Sequence, residues 1–487
     1  MLWLFIGLAW ADDSAEIPPP LTTAGEVRVL GVSSPDFPVD AEGHSVGQGF
    51  VLDTRVRGSL DLSIKGFRAG TEWDVLTGQI AGDTWDLPVD VDQRGRGELR
   101  ALTGEGVVPR RANVGMRLAV VDIEAGLTTS QWGLGLLAND GANDPLFGRA
   151  DGGDRVMRAR ATTAPFKKGG SAYPLYLTLA ADMVVADDLA RWADRQRAAQ
   201  GIASVLYAKP DAGRLGTYVV YRNQRELDEA RVTNVVVTDI AGDIPIPVGE
   251  WTLELAGELA VFAGRTDRAL TYSSRDGLAV SAAGLLVHTA LVEPGERLTV
   301  HLRGGWASGD GDADDGALHD FTADPNVDVG MVLFDELGGG VEVGTVGLLT
   351  DPQYAAQPPD GVDAIATEGA WRRSTFVQPA ISGTVVTGVD LRAGVVLAWA
   401  SAPIAQPFYT FRNGGTPTNH LDRATEGYAY GTELDWAVEL GRGATEHWAI
   451  HPSLLVQGGH AFLANNWAGP GMPGRLDQLM VAARGRW

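Results

Sequence analysis

The hydrophobic pattern of this chain repeats every two residues over most of its length, and the segments that carry it are long. From Leu298 to Trp306, Leu298, Val300, Leu302, Gly304 and Trp306 fall on one side, and Thr299, His301, Arg303 and Gly305 on the other. Successive strand residues point to opposite faces, so such a ribbon has one apolar and one polar face. The same alternation sets Val389, Leu391, Ala393, Val395, Leu397 and Trp399 against Asp390, Arg392 and Gly394. It sets Leu253, Leu255, Leu259 and Val261 against Glu254 and Glu258, and Leu52, Val56, Leu60 and Leu62 against Asp53, Arg55, Arg57 and Asp61. The ribbons run to about 9–16 residues where soluble strands average about 5–6, a length suited to tilted strands that cross a membrane.

A soluble sandwich also alternates, so the connections carry the distinction. Short ones, such as Val121-Asp122, Val292 to Glu296, Thr387-Gly388 and Gly441 to Thr445, alternate with long ones. The long ones are Ile80 to Pro109, Asn139 to Gly153, Ala186 to Gln200, Gly309 to Arg373, Ser401 to Glu426 and Leu463 to Arg475. Short turns at one end and long loops at the other are the layout of an outer-membrane barrel. In lipid every backbone polar group must be paired, so the sheet has to close on itself. The expected fold is therefore all-β, a transmembrane antiparallel β-barrel of about 18 strands, with 16 also fitting the pattern, short periplasmic turns and long extracellular loops. A barrel of about that size leaves an aqueous lumen. Strands are expected over 60–79 and 123–138, among others, and a short outer-loop helix over Asp187 to Gln200, whose acidic residues come early and whose arginines come late.

Composition narrows the rest. With 63 Gly, 14 Trp and 45% hydrophobic residues, the chain is too apolar for a disordered one. After residue 11 no run reaches the roughly 20 apolar residues of a spanning helix. There is no Cys, which removes disulfides and thiolate chemistry. A formal charge of −23 argues against a nucleic-acid partner. Met1 to Leu8 is apolar and Ala9-Trp10-Ala11 fits a signal-peptidase box, although no Lys or Arg precedes the run. Residues 1–11 are thus expected to be a signal peptide, 12–23 a Pro-rich periplasmic leader, and 24–487 the barrel. The last segment places Leu479, Val481, Ala483, Gly485 and Trp487 on one face. Its terminal aromatic resembles the signal read by the barrel assembly machinery, which becomes an expected partner beside outer-membrane lipid and lipopolysaccharide.

Three segments carry a family resemblance. Gln131-Trp132-Gly133-Leu134-Gly135-Leu136-Leu137-Ala138-Asn139-Asp140-Gly141, followed by Gly153-Asp154-Arg155, resembles a strand and first long loop of the alginate-export-like outer-membrane porins, whose uncharacterised relatives occur in gram-negative bacteria. Trp306 to Asp312 with Asp328 to Phe334 is similar to a second family segment, and Gly431 to Trp436 to a third. The resemblance implies a barrel of about 18 strands and passive export or diffusion, without naming the solute. The chain departs from an alginate pore in charge. Asp310, Asp312, Asp314, Asp315, Asp320, Asp324 and Asp328 crowd one long loop, and such a mouth would repel a polyanion over about a Debye length, roughly 8–10 Å.

If the apolar faces meet lipid, the alternate positions line water. Strand parity assigns Arg55, Arg57, Arg111, Arg117, Arg158, Arg160, Arg303, Arg392, Arg484 and Arg486 to the lumen, with Asp53, Asp61, Glu254, Glu258, Asp390, Glu433, Asp435 and Glu439. A ladder of charges could select permeants by local field; the plainer alternative is a mutually paired lining. Arg111, Arg117, Arg158 and Arg160 form the candidate anion-attracting patch. Asp310, Asp312 and Asp314 have carboxylate spacing suited to Ca²⁺, but the Gly comes one place late for an EF-hand and Phe321 stands at the bidentate Glu position. A looser Ca²⁺ site in an extracellular loop and a plain solvated loop are the two readings. His447 and His451 are too far apart on a strand to share a metal. No nucleophile elbow or zinc-protease motif occurs, so no catalytic residue and no cofactor is expected. The expected function is passive passage of a hydrophilic solute or polysaccharide. A structural or adhesive barrel with an occluded lumen, or a barrel hydrolase, are the alternatives.

Overall fold

The computed structural model describes residues 20–82, 106–150, 152–166, 174–209, 212–227, 231–268, 276–312, 315–355, 365, 367, 369–441 and 449–487. The expected signal peptide, Asp314 and His447 lie outside them. The strands are β1 (Leu21–Pro38), β2 (Ser45–Ile64), β3 (Phe67–Gly82), β4 (Val107–Leu118), β5 (Val121–Thr129), β6 (Arg155–Thr163), β7 (Leu175–Ala186), β8 (Gln196–Lys209), β9 (Gly213–Glu226) and β10 (Arg231–Val248). They continue as β11 (Trp251–Thr266), β12 (Leu278–Val292), β13 (Leu298–Ala307), β14 (Ala317–Leu318), β15 (Ser374–Val386), β16 (Val389–Ala400), β17 (Ala429–Leu440), β18 (His451–Leu463) and β19 (Arg475–Arg486). The two-residue β14 pairs in parallel with β12 alone. Setting it aside leaves eighteen strands of the nineteen, and β13 pairs directly with β15. Each wall strand is antiparallel to its neighbours. β1 pairs with β19 from Glu26↔Arg486 to Ser33↔Leu479, so no edge remains. The expected closed barrel is what forms.

Turns at one end are tight: Lys65 and Gly66 join β2 to β3 with φ of 48° and 84°, the left-handed pair that matches the twist of a two-residue hairpin. The start of β1 and the end of β19 lie on this side, and the long loops lie on the other. The outward face is apolar. Val114, Met116 and Leu118 of β4 are exposed, as are Leu298, Val300 and Leu302 of β13 and Leu479 and Val481 of β19. Aromatic rings border this band. Trp73, Tyr221, Trp306, Trp399 and Phe462 sit toward the loops, and Phe67, Tyr207 and Trp487 toward the turns, an arrangement suited to a bilayer with aromatic girdles. His460 and Asp477 also face outward, their side chains 2.7 Å apart just inside the Phe462 level, and Asp477 accepts from Arg475 at 2.6 Å.

Several boundaries differ from the sequence reading. β1 starts at Leu21, so Leu21–Thr23 belong to the wall and not to a leader. β2 continues to Ile64, and the turn falls after it. The stretch from Asp187 is not a helix: Asp187 Oδ1 caps a turn through the N–H of Ala190 at 2.7 Å, and Gln196 onward is β8. Its backbone groups find partners on both β7 and β9, which outweighs an Ala- and Arg-rich local preference. β5 stops at Thr129, where residues expected to continue the strand leave the wall and enter the barrel.

The apolar core lies inside the barrel, where two loops fold in. The first includes residues 130–150 and 152–154. The second includes, among the described residues, 308–312, 315–355 and 369–373, with a π-helical turn (Val332–Gly338) and α1 (Gly339–Thr350). Leu136, Phe147, Phe321, Met331, Leu333, Leu337 and Trp371 of these loops are buried against inward wall residues such as Leu30, Val51, Leu286, Phe376 and Met480. Wall glycines make the room. A Cβ on Gly284 would collide with the Phe321 ring, one on Gly305 with Trp371, one on Gly394 with Phe147, and one on Gly216 with Trp132. Part of the high glycine content is therefore packing, with small wall positions receiving loop aromatics.

Candidate functional site: the lumen wall and its two inner loops

All the arginines that parity assigned to the lumen stand on inward rows, and most of them hold a named partner. Arg55 donates to Glu26 at 2.7 Å, Arg57 to Asp74 at 2.6 and 2.8 Å, and Arg111 to Asp61 at 2.7 Å. Arg158 grips Asp182 through two bonds of 2.8 and 2.6 Å, and Arg160 donates to Glu124 at 2.7 Å. The patch read as anion-attracting is therefore compensated. Arg111 and Arg117 on β4 are separated from Arg158 and Arg160 on β6 by β5, whose Glu124 stands between them. Arg117 shares the inward row of β4 with Asn113 and Gly115. Side chains here stay partly open, 27% for Arg111, 40% for Asp61 and 38% for Arg68, so this sector is less filled than the side packed against the inner loops.

A second set of arginines holds the first inner loop. Arg28 and Arg55 donate to the carbonyl of Ala150 at 3.1 and 3.3 Å, and Arg392 donates to that of Leu146 at 3.1 Å. Arg484 and Arg486 reach Asp144 at 2.7 and 2.9 Å. Arg110 donates to the carbonyls of Asp140 and Gly152. Gln457 on β18 both donates to and accepts from the backbone of Gly148. Planar guanidinium forks suit such carbonyl and carboxylate clusters. Burial would raise the Asp144 carboxyl, but Arg484 and Arg486 prevail and hold it at about 2. The loop thus crosses from β10 and β11 to β16, β18 and β19.

Carboxylates hold the opposite ends. Glu258 accepts from the backbone N–H groups of Leu134 and Leu136, the latter at 3.2 Å, and Asp239 accepts from the Trp132 indole at 2.9 Å. Gly133 turns between them with φ of 51°. Trp132 also packs edge-on to Tyr218, centroids 4.8 Å apart. Glu433 cradles the second loop in the same way, accepting from Met331, Val332 and Leu333 N–H, the last two at 2.8 Å. Asp435 is buried one inward step along the same strand. Glu336 of that loop links Ser34 at 2.9 Å and Gln478 at 2.7 Å. Arg303 donates to the Asp328 carbonyl, and Asp328 accepts from Arg149 N–H at 3.2 Å, so the two loops also hold each other. Glu254 faces inward on β11, nearer the short turns.

The acidic loop does not simply crowd the mouth. Asp310, Asp324 and Asp328 are buried. Asp310 accepts from the N–H groups of Asp312 and His319, both at 3.1 Å, while Asp320 meets Arg373 at 3.0 Å. Asp310 and Asp320 thus hold groups of their own loop. Among the described residues no group of three or more His, Asp or Glu is arranged to hold a metal ion.

Some functional residues escape the sequence reading. Glu26 and Arg28 follow the same parity as the rest of β1 and are legible. Arg110 is not, because a bulge between Glu72 and Trp73 turns it inward beside Arg111. Asp144 and Arg149 lie in a loop with no period to read. Ser382, His301 and His288 also meet, on β15, β13 and β12: the Ser382 hydroxyl lies 2.8 Å from His301 Nε2, and His301 Nδ1 3.2 Å from His288 Nε2.

No protein-family model matches the chain, and no curated protein matches it in sequence. Solved structures do match in fold. Acinetobacter baumannii OccAB1 is 10% identical with a TM-score of 0.53, covering 96% of each chain. A BenF-like porin from Pseudomonas fluorescens Pf-5 is 12% identical with a TM-score of 0.51, over 96% of this chain and 98% of that one. Pseudomonas aeruginosa OccK5 (OpdH) is 8% identical with a TM-score of 0.50, over 96% and 97%. The chain has the closed antiparallel β-barrel fold of these proteins.

Proposed function

We propose that this protein is a porin-like channel of the outer membrane that lets a hydrophilic solute diffuse passively. The observation that carries the reading is the opposition of the two wall faces: an apolar, aromatic-bordered exterior, and a lumen lined with arginines and carboxylates. The fold shared with outer-membrane porins supports it. The inner loops set the size class, because two segments cross the lumen tied to its wall. A small solute fits that geometry better than a polymer. Export of an alginate-like polysaccharide, which the motif resemblance implied, would require both loops to be displaced. The first of the segments behind that resemblance, residues 131–141, is an inner-loop segment and not a strand.

An occluded barrel with a structural role is the second reading, favoured by the apolar core of the loops. Planar-bilayer recording separates the two. The channel reading expects discrete conductance steps from purified protein, larger in a variant whose second loop is shortened between Gly311 and Ala370. No steps in the intact protein would favour the occluded barrel.

Passage requires no covalent chemistry. The Ser382–His301–His288 chain has a hydroxyl and a base in reach, but an acyl transfer also needs donors aimed at an oxyanion. The backbone around Ser382 is committed to ladders with β13 and β16. Incubation with a small fluorophosphonate should leave Ser382 unlabelled; stoichiometric labelling at that residue would establish a nucleophile there.

A further inference from the structure

The outward positions of β7 to β12 are free of charge through the membrane band, and the first outward charges met toward the loops within the strands are arginines, with Asp194, Asp267 and Asp276 in the loops beyond them. Outward residues of β9 run Leu215, Val219, Tyr221, Asn223 and Arg225, and those of β8 run from Tyr207 up to Arg197. Arg197 and Arg225 are direct partners in the β8–β9 register. Arg265 stands opposite Asn234, which itself stands opposite Asn223, so it lies on the next strands at nearly the same height. We propose that Arg197, Arg225 and Arg265 bind the phosphate groups of an outer-leaflet phosphoglycolipid. The proposal rests on the reading of this barrel as an outer-membrane protein.

Three observations support it. First, two like charges directly opposed on one face of a sheet, with Cβ atoms about 4.5–5.5 Å apart, repel unless an anion lies between them. Among the described residues none of these three arginines has a carboxylate within ion-pair distance. Arg197 donates to the carbonyls of Trp192 and Gln196 at 2.7 and 3.0 Å, and Arg265 to that of Asp276 at 2.9 Å. Carbonyls aim a guanidinium without neutralising it, and each fork keeps further N–H groups for phosphate oxygens.

Second, the height fits. Tyr221 is exposed and its hydroxyl donates to Asn234 at 3.1 Å, which marks the border of the apolar band. Arg225 lies four residues beyond it, about 13 Å along a strand at roughly 3.3 Å per residue, or about 10 Å above the girdle at a tilt near 40°. That is headgroup level. Third, the Arg197 guanidinium stacks 3.8 Å from the centroid of the exposed Trp192 ring. The pair offers an apolar plate and a cation at the water boundary, where acyl chain and phosphate of one lipid diverge.

The test uses the full-length barrel in detergent with diphosphorylated lipid A, the same lipid stripped of its phosphates, and inorganic phosphate. Native mass spectrometry should show the diphosphorylated lipid retained. The R197Q/R225Q/R265Q variant should bind it at least tenfold more weakly, and lysine at the same positions should restore part of the binding. The stripped lipid should bind wild type no better than the variant does, and millimolar inorganic phosphate should not displace the lipid. Equal binding of stripped and phosphorylated lipid, an unaffected variant, or complete displacement by free phosphate would overturn the proposal. Retained heat-modifiable gel mobility shows that the variant is folded. Conductance in bilayers without glycolipid reports on the channel reading separately, so the failure of one leaves the other standing.

Discussion

Gly284 has no side chain, and Phe321 occupies the space a side chain would need. At the residue scale the inner loops depend on such wall positions as much as on their own sequence. Gly284→Ala forces either the ring or the wall to move, and overpacking of this kind costs about 1–3 kcal/mol. The variant should unfold at lower temperature in a heat-modifiability gel and leave the second loop more open to protease; unchanged values for both would mean that the contact tolerates a methyl group. Glu258 is the second sensitive residue, because Glu258→Ala leaves the N–H groups of Leu134 and Leu136 without their acceptor. Unpaired buried donors cost about 1–3 kcal/mol each, so this variant should show noisier open-channel current than wild type; equal noise would place the loop's hold elsewhere. The alternation alone shows that Glu258 faces inward, since Leu255 and Leu259 face out. It does not show what Glu258 holds, because its partners are backbone groups 122 and 124 residues away.

At the scale of elements, strands are legible in the sequence and loops are not. A strand's two faces meet different solvents, so its residues alternate and announce themselves, even where the ends shift by a few positions. The inner loops follow the shape of a cavity and carry no period. That is why residues 131–138 read as the end of a strand, and why Asp187 to Gln200, with its acids early and arginines late, reads as a helix. The first loop's attachment to β19 makes a pH prediction. Asp144 is held at about 2, below an ordinary carboxyl near 3.9. A depressed pKa stabilises the tie fully above about pH 4, and the contribution is lost as pH falls through 2. Current fluctuations should therefore grow between pH 4 and 2 in wild type. Asp144→Asn should show the larger fluctuations already at pH 7 and a weaker pH response; a variant that matches wild type across that window would contradict the tie.

At the scale of the whole molecule, the chain solves one problem: a sheet in oil must have no edge, and a sheet around water must be polar inside. Both conditions act on every strand, which is why the fold class, the approximate strand number and the inward arginines outside a bulge follow from the order of the amino acids alone. The filling of the interior does not. The arginines read either as a ladder for permeants or as a mutually paired lining are mostly engaged, some with wall carboxylates and others with carbonyls of the loops that narrow the lumen. The charged side chains that stay partly open include Asp61 on β2, Arg68 on β3 and Arg111 on β4.

Barrel, lumen and lipid face all depend on which way each residue of a strand points, and the absence of cysteine makes that direction measurable. Single cysteines placed one at a time from Arg111 to Leu118 on β4 can carry nitroxide labels in protein reconstituted into liposomes. Labels at Ala112, Val114, Met116 and Leu118 should collide readily with oxygen dissolved in lipid. Labels at Arg111, Asn113, Gly115 and Arg117 should respond instead to a water-soluble nickel chelate. Accessibility without a period of two, or with the two sets exchanged, would contradict a barrel that faces oil outside and water within.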